Sequence, residues 1–106
     1  MRAYLDDSRT LDGFDVCLRS THEAISFVEK NGCPSFISFD FDLGGNDRAI
    51  DFVKWLVEKD IDSAGTIIPK NFSFDVHSAN PVGSAELMAY LNGYLTFRQQ
   101  MLDIDI

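Results

Sequence analysis

The stretch FISFDFDLGG, residues 36–45, combines the apolar pattern of a buried β-strand with two carboxylates at its end. Side chains alternate across a strand, so Asp40 and Asp42 share one face while Phe39 and Phe41 share the other. A buried carboxylate without a partner is energetically costly. The end of this strand must therefore reach solvent, or a cation or a proton must compensate its two acids.

Segments typical of strands and of helices alternate along most of the chain. Alternating or β-branched residues favour strands, whereas apolar residues three and four positions apart favour amphipathic helices. Strands that alternate with helices indicate a mostly parallel sheet covered on both faces. We therefore expect one α/β domain over residues 1–106, with a short four-stranded sheet and about three helices. The expected strands are residues 2–7, 14–20, 35–43 and 72–79, and the expected helices are residues 22–31, 48–60 and 85–102.

Residues at the segment boundaries predict where the helices begin and end. The side chains of Thr21, Asn46 and Ser84 can accept hydrogen bonds from free backbone N–H groups, so we expect these residues as N-caps. Gly32 is expected at the end of the first helix, where a positive φ is common. The last four residues, DIDI at 103–106, fit either a frayed tail or a short added strand.

The first and last strands carry information about the topology. The segment between the first two strands, residues 8–13, is too short for a helix, so these strands form either a hairpin or a parallel pair joined by an extended crossover. We favour the crossover, because the helix over residues 22–31 should begin at the same edge as the acids at 6–7. The fourth strand has a polar face with Asp75 and His77, which suits an edge strand.

The composition excludes several classes of function. The net charge is −8, with 17 acidic and 9 basic residues, which disfavours tight non-specific binding to nucleic acid. Cys17 and Cys33 are too few and too isolated for a zinc site. No apolar run approaches the ~18 residues of a membrane span, and the first ten residues lack the apolar core of a signal peptide. These observations predict a cytoplasmic location and no membrane partner.

Polar side chains end three of the four expected strands. The first ends in Asp6 and Asp7, the third in Asp40 and Asp42, and the fourth in His77. Ligands of open α/β sheets bind at the carboxyl ends of the strands, so parallel strands would bring these groups to one edge. Four neighbouring carboxylates raise one another's pKa values, and a hard divalent cation such as Mg²⁺ relieves that repulsion.

The segment SANPVGS, residues 78–84, follows the fourth strand at the same edge. In structural terms, Pro81 and Gly83 form a turn before the last helix. In functional terms, the free N–H groups of that helix would face the acidic edge and suit a phosphate. Aspartates also serve often as turn formers and helix caps, so each acid alone has a purely structural interpretation. The ordered set is what favours a site.

The motifs YLDDSR, SFDFDLGG and VHSANPVG together resemble the cyclic-phosphate-processing receiver-like domains, a shortened variety of the response-regulator receiver fold. The similarity runs from residue 2 to about residue 95, in the same order and spacing. It implies a three-layer, flavodoxin-like sandwich. It also implies a metal-dependent role on cyclic phosphates of nucleotides, RNA ends or related small metabolites, as a phosphodiesterase or phosphohydrolase.

The resemblance also implies a set of site residues, which we state as expectations. The acids would hold Mg²⁺ or Mn²⁺, the histidine would act as general acid to the leaving hydroxyl, and basic and polar residues would bind the phosphate. The expected residues are Asp6, Asp7, Asp40 and Asp42 for the metal, His77 and Asp40 for catalysis, and Arg9, Ser78 and Asn80 for the substrate.

Two departures from related sequences leave alternatives open. The family pattern has a histidine where this chain has Phe41, so a non-catalytic module that binds a metal and a phosphorylated ligand is the alternative function. Signalling receivers have a lysine after the fourth strand that is not found here, which argues against phosphorylation of Asp40. A third alternative is an interaction domain whose acidic edge is only surface.

Overall fold

The computed structural model describes residues 1–104, with side chains up to residue 101. Within this part of the chain, four strands and three helices follow one another in the expected order, and the strands are shorter than their patterns predicted. The elements are β1 (Arg2–Leu5), β2 (Val16–Leu18), α1 (Thr21–Asn31), β3 (Phe36–Phe39), α2 (Ala49–Asp62), β4 (Ser73–Val76) and α3 (Pro81–Ile104).

The strands form a single parallel sheet in the order β2-β1-β3-β4. The extended crossover between β1 and β2 is confirmed, because Ala3 pairs with Val16 in parallel register. The position of β4 at an edge is confirmed as well. Both helical crossovers run in the same direction along the sheet, so their right-handed connections place α1 and α2 on the same face. This is the α/β architecture of a receiver-like fold.

The core lies between that face of the sheet and the helices. Alternate strand residues such as Leu5 and Phe39 belong to one buried apolar cluster with residues of α1, α2 and α3. On the opposite face, Tyr4 packs on Phe14 of the β1–β2 connection, with ring centroids 5.0 Å apart. The three layers are therefore the helices, the sheet and this extended connection. The helical residues of the cluster are Ala24, Val28, Ala49, Ile50, Phe52, Val53, Leu56, Val57, Leu87 and Leu91.

The first two helices begin at residues other than the expected ones. The N-cap of α1 is Ser20, whose hydroxyl accepts a backbone N–H of the first turn, so the prediction of Thr21 was wrong by one residue. The N-cap of α2 is Arg48 and not Asn46. An isolated bridge between Asp42 and Arg48 keeps the chain extended up to that point, so the helix cannot begin earlier.

The third helix begins at Pro81, three residues before the predicted cap, Ser84. Asn80 occupies the capping position instead, and its Oδ1 accepts the backbone N–H of Gly83 at 2.9 Å. Proline suits the first helical position because it lacks the N–H that would have no intrahelical partner there. The prediction of Ser84 as the cap was therefore wrong, and the helix starts directly at the strand edge.

The ends of the helices follow the sequence more closely. Gly32 ends α1 with a φ of 84°, as expected. Of the closing segment 103–106, the first two residues belong to α3, and residues 105–106 lie outside the described part of the chain. None of the helices described up to residue 104 is long and apolar enough to cross a membrane.

The close packing of the first turn of α3 on Phe41 makes a stability prediction. A Cβ on Gly83 would lie 2.5 to 2.7 Å from atoms of the Phe41 ring. We expect Gly83→Ala to lower the free energy of unfolding by about 1–3 kcal/mol, because the buried ring must move. Gly93→Ala in the same helix is the control, since its Cβ would meet nothing within 4 Å. Urea denaturation should show Gly93→Ala stabilised by up to about 1 kcal/mol, and an equal effect of both substitutions would contradict this role of Phe41.

Candidate metal and phosphate site

Asp6, Asp40 and His77 lie at the carboxyl edge of β1, β3 and β4. The hydrogen-bond ladder of the sheet continues into them, because the N–H of Asp40 donates to the carbonyl of Leu5 and the N–H of His77 donates to the carbonyl of Phe39, each at 2.8 Å. These residues therefore keep the alternation of the strands. Their side chains point to the face opposite the apolar core, as the strand pattern predicts.

One ligand atom from each of these residues lies within 4.8 Å of the other two, and we call Asp6, Asp40 and His77 the acid–histidine site. Two ligands bound to Mg²⁺ at about 2.1 Å are at most about 4.2 Å apart. Side-chain shifts of less than about 1 Å would thus let these groups share one ion. The donor set, two carboxylates and an imidazole, fits Mg²⁺ or Mn²⁺ bound through the oxygens.

Asp6 is fully buried and fully hydrogen-bonded. Its Oδ1 accepts the backbone N–H groups of Ser8 and Arg9 at 3.0 and 2.8 Å. Its Oδ2 accepts the Arg9 Nε–H at 3.0 Å and lies 3.0 Å from His77 Nε2. Burial alone raises the pKa of Asp6, but the hydrogen bonds from Arg9, Ser8 and His77 outweigh it and lower the pKa to about 2. All four lone-pair positions of this carboxylate have partners.

The pKa of Asp40 is shifted in the direction opposite to that of Asp6. Burial raises its pKa, and the neighbouring Asp6 carboxylate raises it further. A hydrogen bond with the Ser78 side chain offsets part of this effect. Two carboxylates with pKa values pushed apart, side by side, are typical of sites where one group stays charged and the other exchanges a proton.

The imidazole of His77 is held on two sides. Its ring stacks on Tyr4, with centroids 4.4 Å apart and planes 6° from parallel. Its Nδ1 lies 2.8 Å from the hydroxyl oxygen of Ser38. These contacts fix the plane of the ring and leave Nε2 directed toward Asp6.

A cleft of about 380 Å³ opens beside the acid–histidine site. The Arg9 side chain is 60% exposed at its rim, where it can reach an anion. Asn80 donates from Nδ2 to the Asp42 carboxylate at 3.2 Å, while its own backbone N–H donates to the Ser78 hydroxyl. The expected substrate-binding residues therefore lie in one place. The cleft is lined by Arg9, Asp40, Asp42, Ser78, Ala79 and Asn80.

Asp7 and Asp42 were expected as further metal ligands, and they do not belong to the group that lies within 4.8 Å. Asp7 is exposed, and its Oδ2 lies near Gly44 of the β3–α2 loop. Asp42 is exposed as well, and its carboxylate is engaged with Asn80. Their part in binding a metal remains a prediction.

Arg19 is a residue of this edge that the sequence patterns did not single out. Its guanidinium donates to the backbone carbonyl of Asp6 at 3.0 Å, to the carbonyl of Arg9, and to the Thr10 hydroxyl at 2.6 Å. It thereby fixes the loop that carries Arg9 against the end of β2. The sequence signal that could have identified it is an arginine directly after a short strand, beside an acidic loop.

A protein-family model described as the cyclic-phosphate processing receiver domain matches residues 1–93 of the chain. The match includes every residue of the acid–histidine site and of the cleft beside it. Neither the curated proteins nor the solved structures gave a match.

Proposed function

The chain belongs to the cyclic-phosphate processing receiver family, and we propose that it opens a cyclic phosphate by hydrolysis at the acid–histidine site with the help of a divalent cation. The observation that carries the proposal is the convergence of two carboxylates and an imidazole within 4.8 Å, beside a cleft lined by Arg9. The substrate class we propose is a small phosphorylated ligand, namely the cyclic phosphate of a nucleotide, an RNA end or a related metabolite.

In this proposal Asp6 and Asp40 hold Mg²⁺ or Mn²⁺ through oxygen, the ligand type these ions prefer. The bound cation would neutralise phosphoryl oxygens and lower the pKa of a water molecule. Asp7 and Asp42, at the same edge, would bind the ion through its waters, since Mg²⁺ usually keeps several of them.

Arg9 has to change partners when a cation binds to Asp6. The four lone-pair positions of this carboxylate are filled, two of them by backbone N–H groups of the loop. His77 is stacked on Tyr4, whereas the Arg9 side chain is 60% exposed. The Arg9 Nε–H is therefore the partner that gives way. Its guanidinium would then pair with the phosphate in the cleft, a favourable partner for its planar group of donors.

Hydrolysis forms a bond between a water oxygen and phosphorus and breaks one of the two ester bonds of the phosphate ring. The water must lose a proton, and the leaving oxygen must gain one. Asp40 would take the first proton, because its carboxylate lines the cleft in which the water would lie. Nε2 of His77 faces the same site and would donate the second proton. Arg9, Ser78 and Asn80 would bind the phosphoryl oxygens.

The Phe41 side chain bears on the alternative of a non-catalytic binding module. It is 4% exposed, and its ring packs against Gly83 in the core. The presence of phenylalanine instead of the family's histidine at position 41 therefore removes no group from the acid–histidine site. A module that binds but does not turn over its ligand is the outcome we expect only if a histidine at position 41 is needed for the reaction.

Turnover of cyclic phosphates tests the proposal. We expect the purified protein with Mn²⁺ to hydrolyse at least one member of a panel of cyclic nucleotides and cyclic-phosphate RNA ends. His77→Ala should reduce that rate by about 10²–10⁴-fold, because the leaving oxygen loses its proton donor. His22→Ala is the matched control, since it removes the chain's other histidine, which is exposed on α1.

Two results would count against hydrolysis: no product from any member of the panel, or equal rates for His77→Ala and wild type. If no product forms, calorimetry shows whether the ligand binds at all. Heat of ligand binding without product formation would support the regulatory module instead.

A further inference from the structure

Ser38 and Asp75 lie behind His77, on the side of the ring away from Asp6. Ser38 is on β3 and only 4% exposed, and the sheet register pairs it directly with Asp75 on β4. The Ser38 hydroxyl contacts both the Asp75 carboxylate and, at 2.8 Å, the Nδ1 atom of His77. The contacts thus form a chain from Asp75 through Ser38 and His77 to Asp6.

The number of protons available in this series of hydrogen bonds determines which group donates in each of them. A serine hydroxyl has one proton, and a carboxylate oxygen only accepts. Ser38 must therefore give its proton to Asp75. Only lone pairs of the Ser38 oxygen remain for His77, so a hydrogen bond between them requires a proton on Nδ1. The Asp6 carboxylate also only accepts, so the hydrogen bond at Nε2 requires a proton there too, and with both bonds made the two ring nitrogens each carry a proton.

We infer that Ser38 and Asp75 are positioning residues that hold His77 as an Nδ1–H donor and thereby present its Nε2–H to the acid–histidine site. Tyr4 stacking fixes the plane of the ring, and the Nδ1–H bond fixes its rotation within that plane. The hydrogen bond at one ring nitrogen sets the role of the other, as is common for functional histidines. The consequence for turnover, unlike the orientation itself, rests on the proposed function.

Nuclear magnetic resonance of the metal-free protein tests the orientation. The chain has two histidines, so ¹H–¹⁵N imidazole spectra are simple, and exposed His22 is an internal reference. We expect His77 to show an Nδ1–H proton protected from exchange with water. Ser38→Ala should abolish this signal, and Ser38→Thr should retain it.

Asp75→Ala is the sharper variant, because Asp75 is exposed and its carboxylate is bonded to Ser38. Without that acceptor, Ser38 can donate to Nδ1, and the protected Nδ1–H signal should be lost although the ring keeps its neighbour. Because its side chain is exposed, this variant also keeps the inference testable if Ser38→Ala does not fold. A wild-type His77 with no proton on Nδ1, or an unchanged Nδ1–H signal in Asp75→Ala, would overturn the inference.

Activity provides the second readout. We expect Asp75→Ala to reduce kcat about 10–100-fold while the rise of Tm on adding Mn²⁺ stays as in wild type. An unchanged kcat would overturn the catalytic part of the inference. If wild type turns over no substrate, the proposed function fails, whereas the imidazole spectra still decide the orientation of His77.

Discussion

Replacing Asp60 with alanine is expected to lower the free energy of unfolding by about 3–5 kcal/mol, the largest stability effect we foresee. Asp60 is on α2 and fully buried. Its carboxylate accepts the backbone N–H groups of Ile67 and Ile68 at 2.9 and 2.8 Å. It also accepts the Tyr94 hydroxyl at 2.7 Å and the Arg98 guanidinium at 3.0 Å.

The loss is large because the partners of Asp60 have little access to water. The Arg98 side chain is only 12% exposed, so alanine at position 60 leaves a nearly buried cation without its counter-charge. The N–H of Ile68 is left without an acceptor as well, which adds a desolvation penalty. One carboxylate therefore joins α2, α3 and the segment that leads to β4.

Chemical denaturation measures this effect against a matched control. Asp62→Asn removes an exposed carboxylate from the same helix and should change the free energy of unfolding by less than about 0.5 kcal/mol. Asp60→Asn keeps one acceptor oxygen and should fall between the control and Asp60→Ala. A loss of less than about 1 kcal/mol in Asp60→Ala would show that Arg98 and the backbone N–H groups are compensated in another way.

The sequence predicts the elements of this fold better than their ends. Alternation placed Asp75 and His77 on the polar face of an edge strand, and the sheet has β4 at its edge. The start of α3 could not be derived, because Asn80 and Ser84 are both good caps. Contact between α3 and Phe41 favours the earlier start, and that contact depends on the folded molecule.

The candidate site shows the same limit. The convergence of Asp6 and Asp40 follows from parallel strands whose carboxyl ends meet, so the sequence predicts it. The hydrogen bonds from Asp75 through Ser38 to His77 could not be predicted from the sequence. They depend on the register of β4 against β3, which neither strand's sequence determines by itself. The sequence does not single out Asp60, because its partly buried partners Tyr94 and Arg98 are more than 30 residues away in the chain.

Replacing Asp40 with asparagine is expected to change stability in opposite directions, depending on divalent cations. Without a cation, burial and the neighbouring Asp6 carboxylate raise the pKa of Asp40, which means that its charge is disfavoured in the fold. A neutral side chain of the same shape relieves this cost. We therefore expect metal-free Asp40→Asn to have a higher Tm than metal-free wild type.

With Mg²⁺ or Mn²⁺ the order should reverse. A ligand that binds only the folded state at one hundred times its Kd adds about 2.7 kcal/mol, which corresponds to roughly 10 °C in a domain of this size. Wild type would gain this stabilisation through Asp6 and Asp40. Asp40→Asn would gain little, because a neutral amide is a weak ligand for a hard cation.

The direct test is thermal unfolding of wild type, Asp40→Asn and Asp62→Asn, with Mg²⁺ or Mn²⁺ and with a monovalent salt at equal ionic strength. Asp62→Asn makes the same change in net charge on an exposed part of α2. If Asp6 and Asp40 form a cation site, the divalent ions raise Tm in wild type and in Asp62→Asn but leave Asp40→Asn unchanged. An equal rise in all three proteins, or no rise in wild type, would contradict a cation site at the acid–histidine site.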